Sequence, residues 1–247
     1  MIKFFRLIRK QLLLENKTSR YLAYAFGEIL LVVLGILIAL QINNWNDARK
    51  IKKQEQQLFS KILLDLQSDS ILIANALTRY KKHQDLHYHL YDEMNGKASY
   101  DSTLSYGLLR TLNNFIPLVK ENYQPIVGNI INEKVREGLN SYFRVEENVV
   151  EDATVQFNNL KFDFVRPYLT AHNIIDVDAL FSTSRYEMGD TRHSLNYEAL
   201  RAQFNSPEFG QILFELNGRT KVQIMVFGRL MKENSRVQKV IQQALTK

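Results

Sequence analysis

Hydrophobic and polar positions in this chain of 247 residues form one apolar run near the start and three periodic stripes after it. From Ile29 to Leu40 there is no polar side chain. Beyond it, Leu58, Ile62, Leu66, Ile73, Leu77, Tyr80, Leu90 and Met94 recur at helical spacing. That pattern predicts a helix from about Asn46 to Glu93, as the simplest reading. The stretch "NGKASYDST" (95–103) breaks it, and Leu104 to Phe115 reads as a shorter helix before Pro117 and Pro125. A second stripe runs Ile131, Val135, Leu139, Tyr142, Val149, Ala153, Phe157, Leu160 and Phe164, and is expected to stop before Pro167.

Residues 168–205 are mixed and polar, with short periodic pieces only. Ser206, Pro207 and Glu208 then supply an N-cap, a proline in the first turn and an acid beside it. The last stripe is Phe209, Leu213, Leu216, Ile224, Phe227, Leu230, Val237, Ile241 and Leu245. Gly210, Gly218 and Gly228 inside it cost about 1 kcal/mol each relative to alanine. Three long helices and one short one, each with a single apolar face, can hide those faces only against one another. The expected fold is all-α, an antiparallel helical bundle following an N-terminal transmembrane helix.

The run Ile29–Leu40 alone spans about 18 Å at 1.5 Å per residue, short of a hydrocarbon core of roughly 30 Å. Spanning requires extension to about Tyr21–Ile42, with Tyr21, Tyr24 and Trp45 near the two interfaces. The chain therefore divides into a basic segment (1–20), a transmembrane helix (21–43) and a helical domain (44–247). The run is too long for the apolar core of a cleavable signal, and no A-x-A site follows, so an uncleaved signal anchor is expected.

Charge supports the same division. Residues 1–53 hold ten Lys/Arg and three Asp/Glu, whereas 54–247 hold 22 basic and 23 acidic residues. The excess flanks the apolar run, which points to anionic lipid headgroups and away from nucleic acid. Lys3, Arg6, Arg9, Lys10, Lys17 and Arg20 precede the span; Arg49, Lys50, Lys52 and Lys53 follow it. That bias predicts a cytoplasmic N-terminus and a periplasmic domain in an inner membrane; a cytoplasm-facing bundle is the rival. Phe4, Phe5, Ile8 and Leu12 at helical spacing make residues 1–20 either an amphipathic basic helix or a loose topogenic tail.

The stretch "GEILLVVLGILIALQINNWN" (Gly27 to Asn46), preceded by "MIKFFR" and "ENKTSRYLAYA", resembles the N-terminal signature of a family of uncharacterised single-pass membrane proteins abundant in Bacteroidota. A G-E-I start, a G-I-L-I-A-L centre and an I-N-x-W-N end match Gly27–Ile29, Gly35–Leu40 and Ile42–Asn46. The resemblance covers about fifty residues. It implies an inner-membrane protein with a helical extracytoplasmic part, and it brings no activity. Further on, Tyr123, Gly128 and "SYF" (Ser141–Phe143) follow the family's pattern only loosely, with Pro125 intervening.

Glu28 lies inside the span. At about 100° per residue, Glu28, Gly35, Ala39 and Asn46 fall close to one line down the helix. Gly35 and Ala39 form a small-xxx-small pair, which permits close approach of another backbone. These four residues are the expected contact face, toward a second copy or another membrane protein. The alternative is that Glu28 snorkels to the nearby interface or is protonated.

No catalytic constellation emerges. Zero cysteines exclude disulfides, thiol nucleophiles and Cys-ligated metals. "HQDLHYH" places His83 and His87 at i, i+4, a weak echo of the zinc-binding H-E-x-x-H helix. Gln84 stands where the glutamate would be, Asp85 points elsewhere, Asp92 is farther along, and His172 and His193 lie in separate segments. The pair is therefore expected on a solvated face, with a metal-dependent hydrolase as the rival reading. Glu146–Glu147 and Glu151–Asp152 likewise read as solvated. There is no G-x-S-x-G and no Gly-x-Gly. The aromatics follow helical spacing and are expected in the core. The sequence thus predicts an interaction, scaffolding or sensing module that is not an enzyme and requires no cofactor.

Overall fold

The computed structural model describes residues 18–181 and 194–246. Most of the expected N-terminal segment, 1–17, and His193 lie outside the described residues. The chain separates into two units, Met1–Gln57 and Leu58–Lys247.

In the first unit the backbone is helical from Thr18 onward. This helix, α1, runs Thr18–Met94. Its apolar residues near the N-terminus, Leu22, Phe26 and those from Ile29 to Ile42, are exposed, Ile29 and Leu31 by 62% and 69%. Among the described residues this is the one helix long and apolar enough to cross a membrane, and that apolar stretch is wholly unburied within the chain.

In the second unit α1 supplies Ile62, Leu66, Ile73, Tyr80, Leu86 and Leu90 to a closed core. The helix stops where Gly96 takes φ 68°, letting Gly96 N–H reach Glu93 O at 3.0 Å and Lys97 N–H reach Asp92 O at 2.8 Å. Only glycine adopts that left-handed cap without strain. After it come a 3₁₀ turn (Tyr106–Leu109), α2 (Leu118–Tyr123) and a second 3₁₀ turn (Gln124–Asn129). Next are α3 (Glu133–Val145), α4 (Asp152–Leu160), α5 (Arg166–Ala171), α6 (Val177–Phe181) and α7 (Tyr197–Arg201). The chain then forms α8 (Pro207–Leu245).

The all-α class holds. The described residues contain no strand, only an isolated bridge between Ile175 and Leu195. α1 and α8 are antiparallel: Ser70 Oγ meets Asn234 Oδ1 at 2.8 Å, Tyr80 stacks obliquely on Phe227 at 5.4 Å, and Met94 approaches Gly210. α3 and α4 also pack on α8. Ser206 caps α8 as expected, its Oγ accepting from Phe209 N–H, and the three internal glycines leave the helix unbroken.

Two local expectations are corrected. The helix over Leu104–Phe115 is reduced to the turn Tyr106–Leu109. Its carbonyls are claimed by side chains instead: Lys161 Nζ donates to Leu108 O and Thr111 O (2.8 Å each), Arg166 to Arg110 O and Asn158 to Asn113 O. With its acceptors satisfied that way, the segment needs no helical ladder.

The second stripe does not end before Pro167, because helical backbone continues to Ala171. Two π-helical segments, Glu146–Glu151 and Lys161–Val165, loosen the winding, and Arg166 N–H bonds Lys161 O just ahead of the proline. The proline's missing donor thus falls where the ladder is already offset. The same loosening rotates the buried face. Tyr142, Glu146, Val150, Thr154, Phe157, Lys161 and Val165 are buried, whereas Phe164, expected inside, is 63% exposed; Ile131, also expected inside, precedes α3 and is 64% exposed.

Candidate functional site

Along α1 and α8 beyond His87 lies a groove of about 600 Å³. One wall is Tyr88, Tyr91 and Met94 from α1; the other is Leu213 and Phe214 from α8, with Gly210 and Gln211 at one end. His87 and Asn217 complete the lining. No Asp, Glu, Lys or Arg lines it. Tyr91 and Phe214 remain 54% and 71% exposed. Lys221 lies 5.5 Å over the Tyr88 ring, and its ammonium, followed by the Asn217 amide, lowers the Tyr88 pKa.

Behind the groove the core is unusually polar. His83 and His87 are 0% and 1% exposed, which overturns their placement on a solvated face. The reason is the antiparallel pairing: α8 and Phe157 close over that turn of α1, and Phe157 meets His83 edge-on at 5.8 Å. None of the four imidazole nitrogens has a hydrogen-bond partner; Asn113 lies beside His83 without a well-aligned bond. Burial, then the nearby Lys161 charge, lowers the His83 pKa to about 2 and that of His87 to about 3. Both rings are neutral at ordinary pH. On α8, Thr220 and Gln223 are buried and likewise unpartnered, as is Asn217 Oδ1.

Lys161, fully buried, ties the layer together, with Nζ on two carbonyls and 4.6 Å from the Phe157 ring centroid. Burial drives its pKa down, and neighbouring Arg166 adds to that. Glu146 is also buried, against expectation, and pairs with Lys120 at 2.6 Å; Glu147, Glu151 and Asp152 are exposed as expected. At the end of α1, Glu93 accepts from Tyr106 Oη at 2.7 Å, from Tyr197 Oη, and lies 2.9 Å from His89 Nε2.

The hydrolase alternative finds no support in this arrangement. The His83 and His87 ring centroids are 6.1 Å apart, and no cluster of three His, Cys, Asp or Glu residues poised for a metal exists among the described residues. His172 packs on Tyr168 elsewhere. A larger cleft of about 740 Å³ beside Lys134, Glu137, Arg144 and Arg236 is walled by solvated charges of both signs. It contains no buried unpaired group, so the groove is the better candidate. Core aromatics such as Tyr80, Tyr142, Phe157, Phe209 and Phe227 are buried as expected; Tyr88, Tyr91 and Phe214 are not, and they make the groove.

Of the anchor residues, Glu28 is half-buried and Gly35, Ala39 and Asn46 are exposed on α1. A Cβ added at Gly35 would meet nothing within 4 Å. Sequence reasoning missed the groove because its two walls lie more than a hundred positions apart. The one signal that could have hinted at it was the cluster of tyrosines and histidines between residues 83 and 91.

Residues 28–106, about a third of the chain, match the model of a family described as "Family of unknown function (DUF6090)". The match covers the apolar run, the rest of α1 and the loop to Tyr106, including His83, His87, Tyr88 and Tyr91, but not α8. No curated protein and no solved structure matches the chain.

Proposed function

We propose that this chain is a membrane-anchored binding module, non-catalytic, whose helical domain senses or recruits a ligand through the groove between α1 and α8. One observation carries this reading: a concave groove of about 600 Å³ with aromatic walls and no charged residue in its lining. Ligand sites share that make-up, apolar walls with a few polar groups that fix orientation.

The anchor is residues 21–43, in an inner membrane, with the N-terminus cytoplasmic and the domain periplasmic. Basic residues flanking the span support that orientation. Glu28, Gly35, Ala39 and Asn46 form an association face toward a second copy or another membrane protein.

Two measurements test the proposal. A reporter active only outside the cytoplasm, fused after Lys247, is active; activity of a cytoplasm-dependent reporter alone overturns the topology. For the groove, full-length protein in lipid nanodiscs carries 4-fluorophenylalanine at Phe214, and a second sample carries it at Phe162, which lies outside the groove lining. Naphthalene shifts the fluorine resonance at 214 saturably and leaves 162 unmoved. Equal linear drift of both labels means bilayer partitioning and no groove site.

A further inference from the structure

We infer that the groove receives a free amphiphilic anion, its apolar body against the aromatic walls and its carboxylate at the Lys221 end. The inference rests on the groove being a binding site and adds the charge and polarity of its ligand. From Gly210 to Asn217 the groove follows α8 for about 10 Å at 1.5 Å per residue. Its lining carries no charge along that length. One turn past Asn217 comes Lys221, whose ammonium lies 5.5 Å over the ring of Tyr88, itself part of the lining. The site is therefore polarised, apolar along its length with a cation beyond one end. That arrangement is complementary to an amphiphilic anion.

Lys221 is available for the role. Among the described residues no Asp or Glu forms an ion pair with it. At about 100° per residue, Gly210, Phe214, Asn217 and Lys221 share one flank of α8. Glu215 takes the other flank with Arg219, which meets Gln156 of α4. On α1, Asp85 and Asp92 fall opposite the buried face of His83 and Leu90. The Lys221 end already favours negative charge: hydrogen bonding from Lys221, then Asn217, draws the Tyr88 phenol below its ordinary pKa. Tyr88 is 47% exposed, so a carboxylate there keeps part of its hydration and avoids the cost of full burial. The apolar body gains by leaving water against Tyr91, Met94, Leu213 and Phe214.

The test uses full-length protein in phosphatidylcholine nanodiscs, which carry no net lipid charge, read at the fluorine label on position 214. The probes are 2-naphthoate and its neutral counterpart 2-naphthamide. At low salt 2-naphthoate binds about fivefold more tightly, the upper end of what one exposed charge pair supplies. The gap closes as salt is raised. Lys221→Met removes the preference and leaves 2-naphthamide binding in place, which also shows that the variant is folded. Lys232→Met, an equal change in net charge farther along α8, keeps the preference. Equal affinity for the two probes in the wild type, or a preference that survives Lys221→Met, overturns the ligand chemistry and leaves the groove standing. No saturable shift with either probe overturns the groove itself.

Discussion

The phenol of Tyr142 donates a 2.9 Å hydrogen bond to Asp69 Oδ2, joining α3 to α1 inside the core. The same carboxylate accepts from Leu118 N–H at 2.7 Å and Val119 N–H at 3.3 Å, capping α2 from another element. One fully buried side chain thus fixes three helices. Asp69→Ala leaves those donors buried without acceptors and is expected to cost about 3 kcal/mol. Tyr142→Phe, which removes one bond and keeps the ring, costs about 1–2 kcal/mol. Urea unfolding of residues 54–247, which should be soluble and strongly helical by circular dichroism, measures both. A strand-dominated spectrum of that fragment contradicts the fold.

Acid should weaken this domain through His83 and His87. Their folded pKa values, about 2 and about 3, lie below the ordinary 6.5. Between those limits the unfolded chain binds two protons that the folded chain does not, so stability rises with pH. It is complete above about pH 6.5 and is lost as pH falls. Between about pH 7 and pH 5 the loss is about 3–4 kcal/mol for the pair. Asp69 and Glu146, whose pKa values burial raises, act in the opposite sense at lower pH. Replacing both histidines by leucine flattens the slope above pH 5; an unchanged slope means the rings are solvated.

Lys161 should matter through geometry more than charge. Lys161→Met keeps the buried stem and deletes the donor to Leu108 O and Thr111 O. The expected cost is about 2–3 kcal/mol. Hydrogen exchange should rise selectively over residues 104–116, the segment those bonds hold. A variant as stable as wild type, with unchanged exchange there, removes Lys161 from that role.

The association face of the anchor is testable without disturbing the monomer. Space around Gly35 is open within the chain, so Gly35→Leu meets no internal clash. It should nonetheless block close approach of a second helix, and Glu28→Leu should remove a contact worth about 1–2 kcal/mol in the bilayer. Leu37→Ala, half a turn away, should do little. Crosslinking in intact membranes, with insertion checked for each variant, reads the result. Wild-type behaviour from all three leaves Glu28 a snorkelling residue and the face lipid-exposed.

Periodicity along the chain determined the helices themselves. The stripes 58–94 and 209–245 became α1 and α8, because a face repeating every 3.6 residues has one way to be buried. The exposed run near the N-terminus was equally legible, since length and apolarity are local properties. Tertiary structure alone decided which polar residues went inside. His83, His87, Glu146 and Lys161 look like surface residues in sequence; their burial depends on α8, on Phe157 and on π turns that rotate the face by a residue. The loop 104–116 lost its helix to donors some fifty residues away. The groove exists only because α1 and α8 come together, and its walls come from residues 87–94 and 210–217. Burial of a polar group is a property of its neighbours, and no local pattern reports who those neighbours are.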